Sequence, residues 1–216
     1  MVQVDEEISY EIFSYVFLEE IDEDDDEDDF GEWNLRKCSA AALDVLSNNF
    51  HDDLLPILLP HIQARMTSDT HWKIREGAIL ALGAIAEGCR EGMEVHLPIL
   101  FPFLMTFLSD PAPYIRSITC WTLSRYVDWA VSETTAFPPL CHHLLRCIVD
   151  VHKKVQEAAC SAFCTLSEEA EMELIPYLED ILKTLAYAST KYQARNVLIR
   201  TYYVLLEICY YLRCVT

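Results

Sequence analysis

Few side chains in this sequence are grouped closely enough to do chemistry. Cys141, His142, His143 and Cys147 fall on one stretch, and Cys160 and Cys164 stand four residues apart. Thiolate and imidazole are the ligands that hold zinc. Neighbouring His142 and His143 would point to different sides of a helix, however, and no ligand spacing recurs. These residues read as packed helix faces, and no metal is expected. Catalysis has no better footing: the chain has no glycine-rich phosphate loop, no G-x-S-x-G and no H-E-x-x-H. Glu157, Glu168 and Glu169 read as a solvated face, so neither an enzyme nor a cofactor is expected. Recognition is the chemistry that remains. Its best carrier is Trp121 in SITCWTLSRY (117–126), with Arg125 one helical turn later on the same face.

The composition narrows the scaffold that must hold these residues. The chain has 216 residues, 52% of them hydrophobic and only 5 of them glycine, which favours a helical core over a turn-rich β fold. Its net charge of −19 is uneven, because residues 1–32 carry 15 acids and no Lys or Arg. The stretch EEIDEDDDEDD (19–29) has ten acids in eleven positions and reads as a solvated loop or tail. Phosphate binding needs clustered basic residues, so nucleic acid is not an expected partner and basic peptides are. Nine scattered cysteines without a C-x-x-C read as buried reduced thiols. The apolar run IFSYVFL is too short and acid-flanked to export or span, so no membrane association is expected.

From Trp33 onward the chain repeats itself. LRKCSAAAL, IREGAILAL, IRSITCWTL and VQEAACSAF align without gaps, their starts 39, 41 and 40 residues apart. A leucine-rich, proline-containing segment follows each: LLPILLPHI, HLPILFPFL, AFPPLCHHLL and LIPYLEDIL. Two helices per unit of about 40 residues predict an all-α, HEAT-repeat α-solenoid, a superhelical stack of antiparallel helix pairs. The expected layout is an acidic segment over 1–32, four repeats (33–70, 71–110, 111–150, 151–189) with the start of a fifth to 199, and an apolar helix over 200–216. Small residues such as Gly77, Ala78, Ala81, Ala159 and Ala162 would let helices approach closely, and the prolines would suit first turns. At the place of Trp121 the other repeats carry Ala41, Leu80 and Ser161. Such a slot does not demand a large core residue, so the indole reads either as a gap filler or as an exposed binding surface.

WNLRKCSAAALDVLSN (33–48), LALGAIAEGC (80–89), RSITCWTLSRY (116–126) and VQEAACSAF (155–163) closely resemble the transportin family of karyopherin-β nuclear import receptors. The likeness runs from about residue 22 to 199, a central portion of those longer proteins. It implies a concave surface that binds basic, extended proline-tyrosine nuclear localisation signals of cargo proteins. The family's Pro-Tyr end would lie on Ala41, Asp44, Leu80, Ile118, Trp121 and Arg125, and its basic part near Glu157, Thr165 and Glu168. The acids Asp22, Glu23, Asp24, Asp25, Asp26, Glu27, Asp28 and Asp29 resemble the end of the family's acidic loop, which couples Ran binding to cargo release. The resemblance implies shuttling between cytoplasm and nucleus, with nucleoporins as further partners.

The departures shape the expectation. The given residues show no counterpart of the family's N-terminal Ran-binding repeats, and the likeness stops after Ile199, where Tyr202 stands in place of a groove acid. Two other readings follow: a structural HEAT scaffold for protein assembly, and a fragment with little cargo affinity.

Overall fold

The computed structural model describes residues 35–67 and 71–191. The acidic segment with Asp22–Asp29 and the stretch 200–216 lie outside the described residues. All regular structure within residues 35–67 and 71–191 is helical, and the described residues divide into two compact units that part between Leu97 and Pro98.

In the first unit, α1 (Leu35–Phe50), a 3-10 turn (His51–Leu54), α2 (Leu55–Met66), α3 (Trp72–Ala84) and the single turn α4 (Arg90–Met93) follow one another. The side chain of His71 caps α3 by accepting the Lys73 amide at 3.3 Å. Gly77, Ala78, Ala81 and Gly83 are buried together with Ile79 and Leu82, so α3 is apolar almost all round. Both α1 and α2 can therefore pack against it. At the joint between repeats, His51 adopts φ 50°, its Nδ1 lies 3.0 Å from the Gly88 carbonyl, and Cys89 Sγ donates to the His51 carbonyl at 3.1 Å. Gly88 is required there: a Cβ would run into the Ser47 backbone and lie 2.5 Å from the Asn48 nitrogen.

The second unit holds α5 (Leu97–Thr106, from its second residue), α6 (Pro113–Ser124), α7 (Val127–Ser132), α8 (Phe137–Ile148), α9 (Lys153–Ala170) and α10 (Leu178–Lys191). Here α9 packs on α6 and α10 packs on α8, so the small-residue helices form one layer and the leucine-rich helices another. Phe101, Phe163, Leu123, Leu144 and Leu166 fill the space inside the unit with essentially no exposure. Each contributes about 1.5–3 kcal/mol by leaving water.

The same polar device closes both inter-repeat turns of this unit. Asp110 Oδ1 accepts the Ala112 amide and Asp150 Oδ1 accepts the His152 amide, each at 2.8 Å. Arg116 donates to the Asp110 carbonyl at 2.7 Å, and Gln156, its counterpart one repeat later, donates to the Asp150 carbonyl at 2.5 Å.

The prolines depart from expectation in two respects. Pro60 and Pro102 sit inside α2 and α5, four residues after Pro56 and Pro98. All four are exposed, so the carbonyls that lose a helical donor face water. Pro176 does not open the last α-helix: it lies in a 3-10 stretch, Glu171–Tyr177, and α10 starts two residues later.

Candidate functional site

Trp121 stands on the last turns of α6 and is 38% exposed, the largest side chain among the exposed apolar residues that the structure describes. Its neighbours on the helix, Thr119, Cys120, Thr122 and Leu123, are buried, so the rest of the turn anchors α6 while the indole is presented outward. Ser124 Oγ donates to the Trp121 carbonyl at 2.7 Å, which ties up the end of the helix. A pocket of about 240 Å³ lies beside the indole, lined by Trp121 and Ser124 from α6 and by Glu157, Ala158, Ser161 and Ala162 from α9. The wall opposite the tryptophan is thus made of small side chains, which is why the space is open.

Of the residues expected to bind, the fold brings Trp121 and Glu157 into this one pocket. Ile118, one turn before Trp121, is half-buried and outside the lining. Arg125 follows the last residue of α6 and is exposed. Lys153 Nζ lies 3.9 Å from Glu157 Oε1, a loose pair in which the lysine side chain is 68% exposed and the glutamate 28%. Thr165 and Glu168 continue along α9, two and three turns beyond Glu157. Thr165 Oγ1 donates to the Ser161 carbonyl at 3.3 Å, and the exposed Glu168 accepts from Cys164 Sγ at 3.7 Å.

Ala41, Asp44 and Leu80 belong to the first unit, on α1 and α3, and all three are half-buried. The Asp44 carbonyl accepts Ser47 Oγ and Asn48 Nδ2 at 2.8 Å, and Asn48 also reaches Asp44 Oδ1 at 3.4 Å. Sequence reasoning did not assign Ser124, Ala158, Ser161 or Ala162 to a site. The available signal was the repeat register, which sets Ser161 in the place of Trp121 one repeat later.

The cysteine and histidine cluster is built differently. Cys141, Cys147 and Cys160 are buried, while His142 is exposed and stacks edge-on to Tyr177 at 5.8 Å. A hydrogen bond with Cys147 and burial hold the Cys120 thiol well above the usual range, and the same bond pulls Cys147 down. Burial, reinforced by Asp180, pushes Cys141 up to about 12. Among the described residues no group of three or more His, Cys, Asp or Glu is placed to hold a metal ion, and no helix is long and apolar enough to cross a membrane.

Comparison with known proteins gives these features a context. A HEAT-like repeat profile matches residues 72–126, from the start of α3 past the end of α6. Human transportin-1 is 56% identical over 170 residues, which cover 78% of this chain and 19% of that protein. Importin subunit beta-2 of Schizosaccharomyces pombe is 53% identical over 178 residues, covering 80% of this chain and 20% of its own. The chain thus spans about a fifth of the length of the curated relatives it matches. Among solved structures, Kap95p in its structure with RanGDP superposes with a TM-score of 0.83 over 98% of this chain and 25% of its own, at 17% identity. Kap121p bound to RanGTP gives 0.79 over 95% and 21%, at 22% identity. At such identities the likeness establishes the fold, an all-α HEAT-repeat solenoid. Over about four fifths of its length the chain is a homologue of transportin-1 and importin subunit beta-2, corresponding to about a fifth of those proteins.

Proposed function

We propose that these residues are a cargo-binding segment of a nuclear import receptor, a non-catalytic surface for the basic proline-tyrosine localisation signals of cargo proteins. One observation carries the reading: the tryptophan of a transportin-like stretch is held out of the core beside an open, acid-edged pocket. An extended peptide gains most from a rigid aromatic wall and from carboxylates that meet its basic residues. In this reading Ile118, Trp121 and Arg125 meet the apolar Pro-Tyr end, a role that the resemblance to the transportin family also gives to Ala41, Asp44 and Leu80. Glu157, Thr165 and Glu168 meet the basic part. The acids Asp22–Asp29 act as a tethered competitor for basic cargo. The repeat limits 33–70, 71–110, 111–150 and 151–189 are the proposed units of this surface.

Ran and the nucleoporins Nup1 and Nup53p accompany Kap95p or Kap121p in their solved structures. We assign them to the receptor type as a whole, together with shuttling between cytoplasm and nucleus, and assign the pocket described here to cargo alone.

Calorimetric titration of the full chain with a basic peptide ending in Pro-Tyr tests the function. Binding that falls at least tenfold when Pro-Tyr becomes Ala-Ala is the expected result, about 1.4 kcal/mol or more. Equal affinity for the two peptides contradicts the reading.

A further inference from the structure

The core of the second unit holds a pair of thiols that cargo binding does not use. Cys120 on α6 and Cys147 on α8 are both buried, and a hydrogen bond joins them across the gap between the two helices. Cys147 Sγ also donates to the Leu108 carbonyl at 3.9 Å. The pair lies beside the bridge between Arg116 and Asp150: Arg116 stands four residues before Cys120 on α6, and Asp150 stands three after Cys147. We propose that Cys120 and Cys147 form a reversible disulfide on oxidation by a small peroxide, a redox staple that ties α6 to α8 next to Trp121. The proposal is independent of what the pocket binds.

Placement carries the choice of partners. The two thiols already touch, so closing to a sulfur–sulfur bond of about 2.05 Å is a short step. The salt bridge holds the start of α6 to the turn that ends α8, at 2.9 Å, and so preserves the approach of the two helices at this level. Cys160 takes the register place of Cys120 one repeat later and is also buried, but its influence on Cys120 is electrostatic and weaker than that of Cys147. The pair is polarised as well. The bond from Cys120 lowers the Cys147 pKa, Arg146 and Arg116 act in the same direction against burial, and Cys120 is held high. Thiolate is the attacking form, so Cys147 meets the oxidant and Cys120 resolves it.

The chemistry balances with hydrogen peroxide as the oxidant. Cys147 sulfur attacks one peroxide oxygen, the O–O bond breaks, and the departing hydroxide takes up a proton to become water. Cys147 is then a sulfenic acid. Cys120 sulfur attacks the Cys147 sulfur, the S–O bond breaks, and the hydroxide leaves as water with the Cys120 proton. Two thiols lose two electrons, and one peroxide becomes two waters.

The test treats the full chain with hydrogen peroxide, blocks remaining thiols with N-ethylmaleimide in denaturant and digests with trypsin without reduction. Cleavage after Arg116, Arg125, Arg146 and Lys153 leaves Cys120 in residues 117–125 and Cys147 in residues 147–153, each the one cysteine of its peptide. The expected product is these two peptides joined, two hydrogens lighter than the separate pair, and parted again by dithiothreitol. Cys160→Ala keeps the same link. The oxidised chain is expected to show a urea midpoint higher by about 1 M, since a disulfide constrains the unfolded chain. Cys120→Ala abolishes that rise. Recovery of both peptides as maleimide adducts, or of either one joined to Cys160, overturns the proposal, and this mapping on the unmutated chain does not depend on how any variant folds. A link formed without a higher midpoint overturns the staple.

Discussion

Arg116 grips the carboxylate of Asp150 through two parallel hydrogen bonds of 2.9 Å, from Nε to Oδ2 and from Nη2 to Oδ1, with both side chains largely buried. Asp150 uses the same carboxylate to cap the turn into α9, and Arg116 also donates to the Asp110 carbonyl of the turn into α6. One arginine thereby joins two successive inter-repeat turns, and these turns set the angle at which α6 and α9 present the pocket.

Arg116→Ala is expected to destabilise the chain by about 2–4 kcal/mol, because it strands a largely buried carboxylate and a carbonyl together. Urea denaturation measures it. In the double variant with Asp150→Ala the loss should be smaller than the sum of the two single losses, since the two residues share one network. Additive losses would show that the pair is not coupled.

The two glycines near the first joint should respond unequally to alanine. A Cβ at Gly88 meets backbone of Ser47 and Asn48, whereas one at Gly92 meets the side chains of Leu55 and Asp52. Side-chain ends can move and a helix backbone cannot, so Gly88→Ala should cost about 2 kcal/mol more than Gly92→Ala. Thermal melts of the two variants, compared with the unmutated chain, decide this.

Burial holds the His143 pKa below its usual value, and the neighbouring cations Arg146 and His142 lower it further. The folded chain thus keeps this ring neutral where the unfolded chain would protonate it. Stability supplied by the neutral ring is present above the unfolded value of about 6.5 and is lost as pH falls through and below it. His143→Gln should flatten this part of the stability profile between pH 7 and 5. A profile of unchanged slope would exclude His143 as the titrating group.

Thiol reactivity should follow burial. Cys89 and Cys141 are both pushed up to about 12 by burial, with Asp52 and Asp180 respectively adding to the effect. In the native chain at pH 8 they should resist iodoacetamide, while the half-buried Cys38 and Cys164 are alkylated before them. Mass spectrometry of timed aliquots reads the order directly.

Much of the fold was legible because a period near 40 residues leaves few architectures other than stacked helix pairs. The alternation of small-residue and leucine-rich segments even foreshadowed the layering of α6 with α9 and of α8 with α10. Pro60 and Pro102 were not legible as helix-interior residues, since proline alone signals a first turn or a break, and only their exposed placement explains why the helices continue. At the site, repeat register drew attention to Trp121 through its small counterparts. The pocket depends on a second helix more than thirty residues later in the chain. Spacing could nominate Glu157 as an acid but could not tell that it and Ser161 would line a wall facing the indole. For the same reason Ala158 and Ala162 read as packing residues.

The central claim is that the exposed face of Trp121 binds the localisation signal, and one titration tests it most directly. The full chain, Trp121→Ala and Glu168→Ala are titrated with the same basic peptide ending in Pro-Tyr, after circular dichroism shows equal helix content. Loss of the indole should weaken binding at least about tenfold, and loss of the exposed carboxylate by a smaller factor. If both variants bind the peptide as tightly as the unmutated chain, the signal does not bind at Trp121 and the account is wrong.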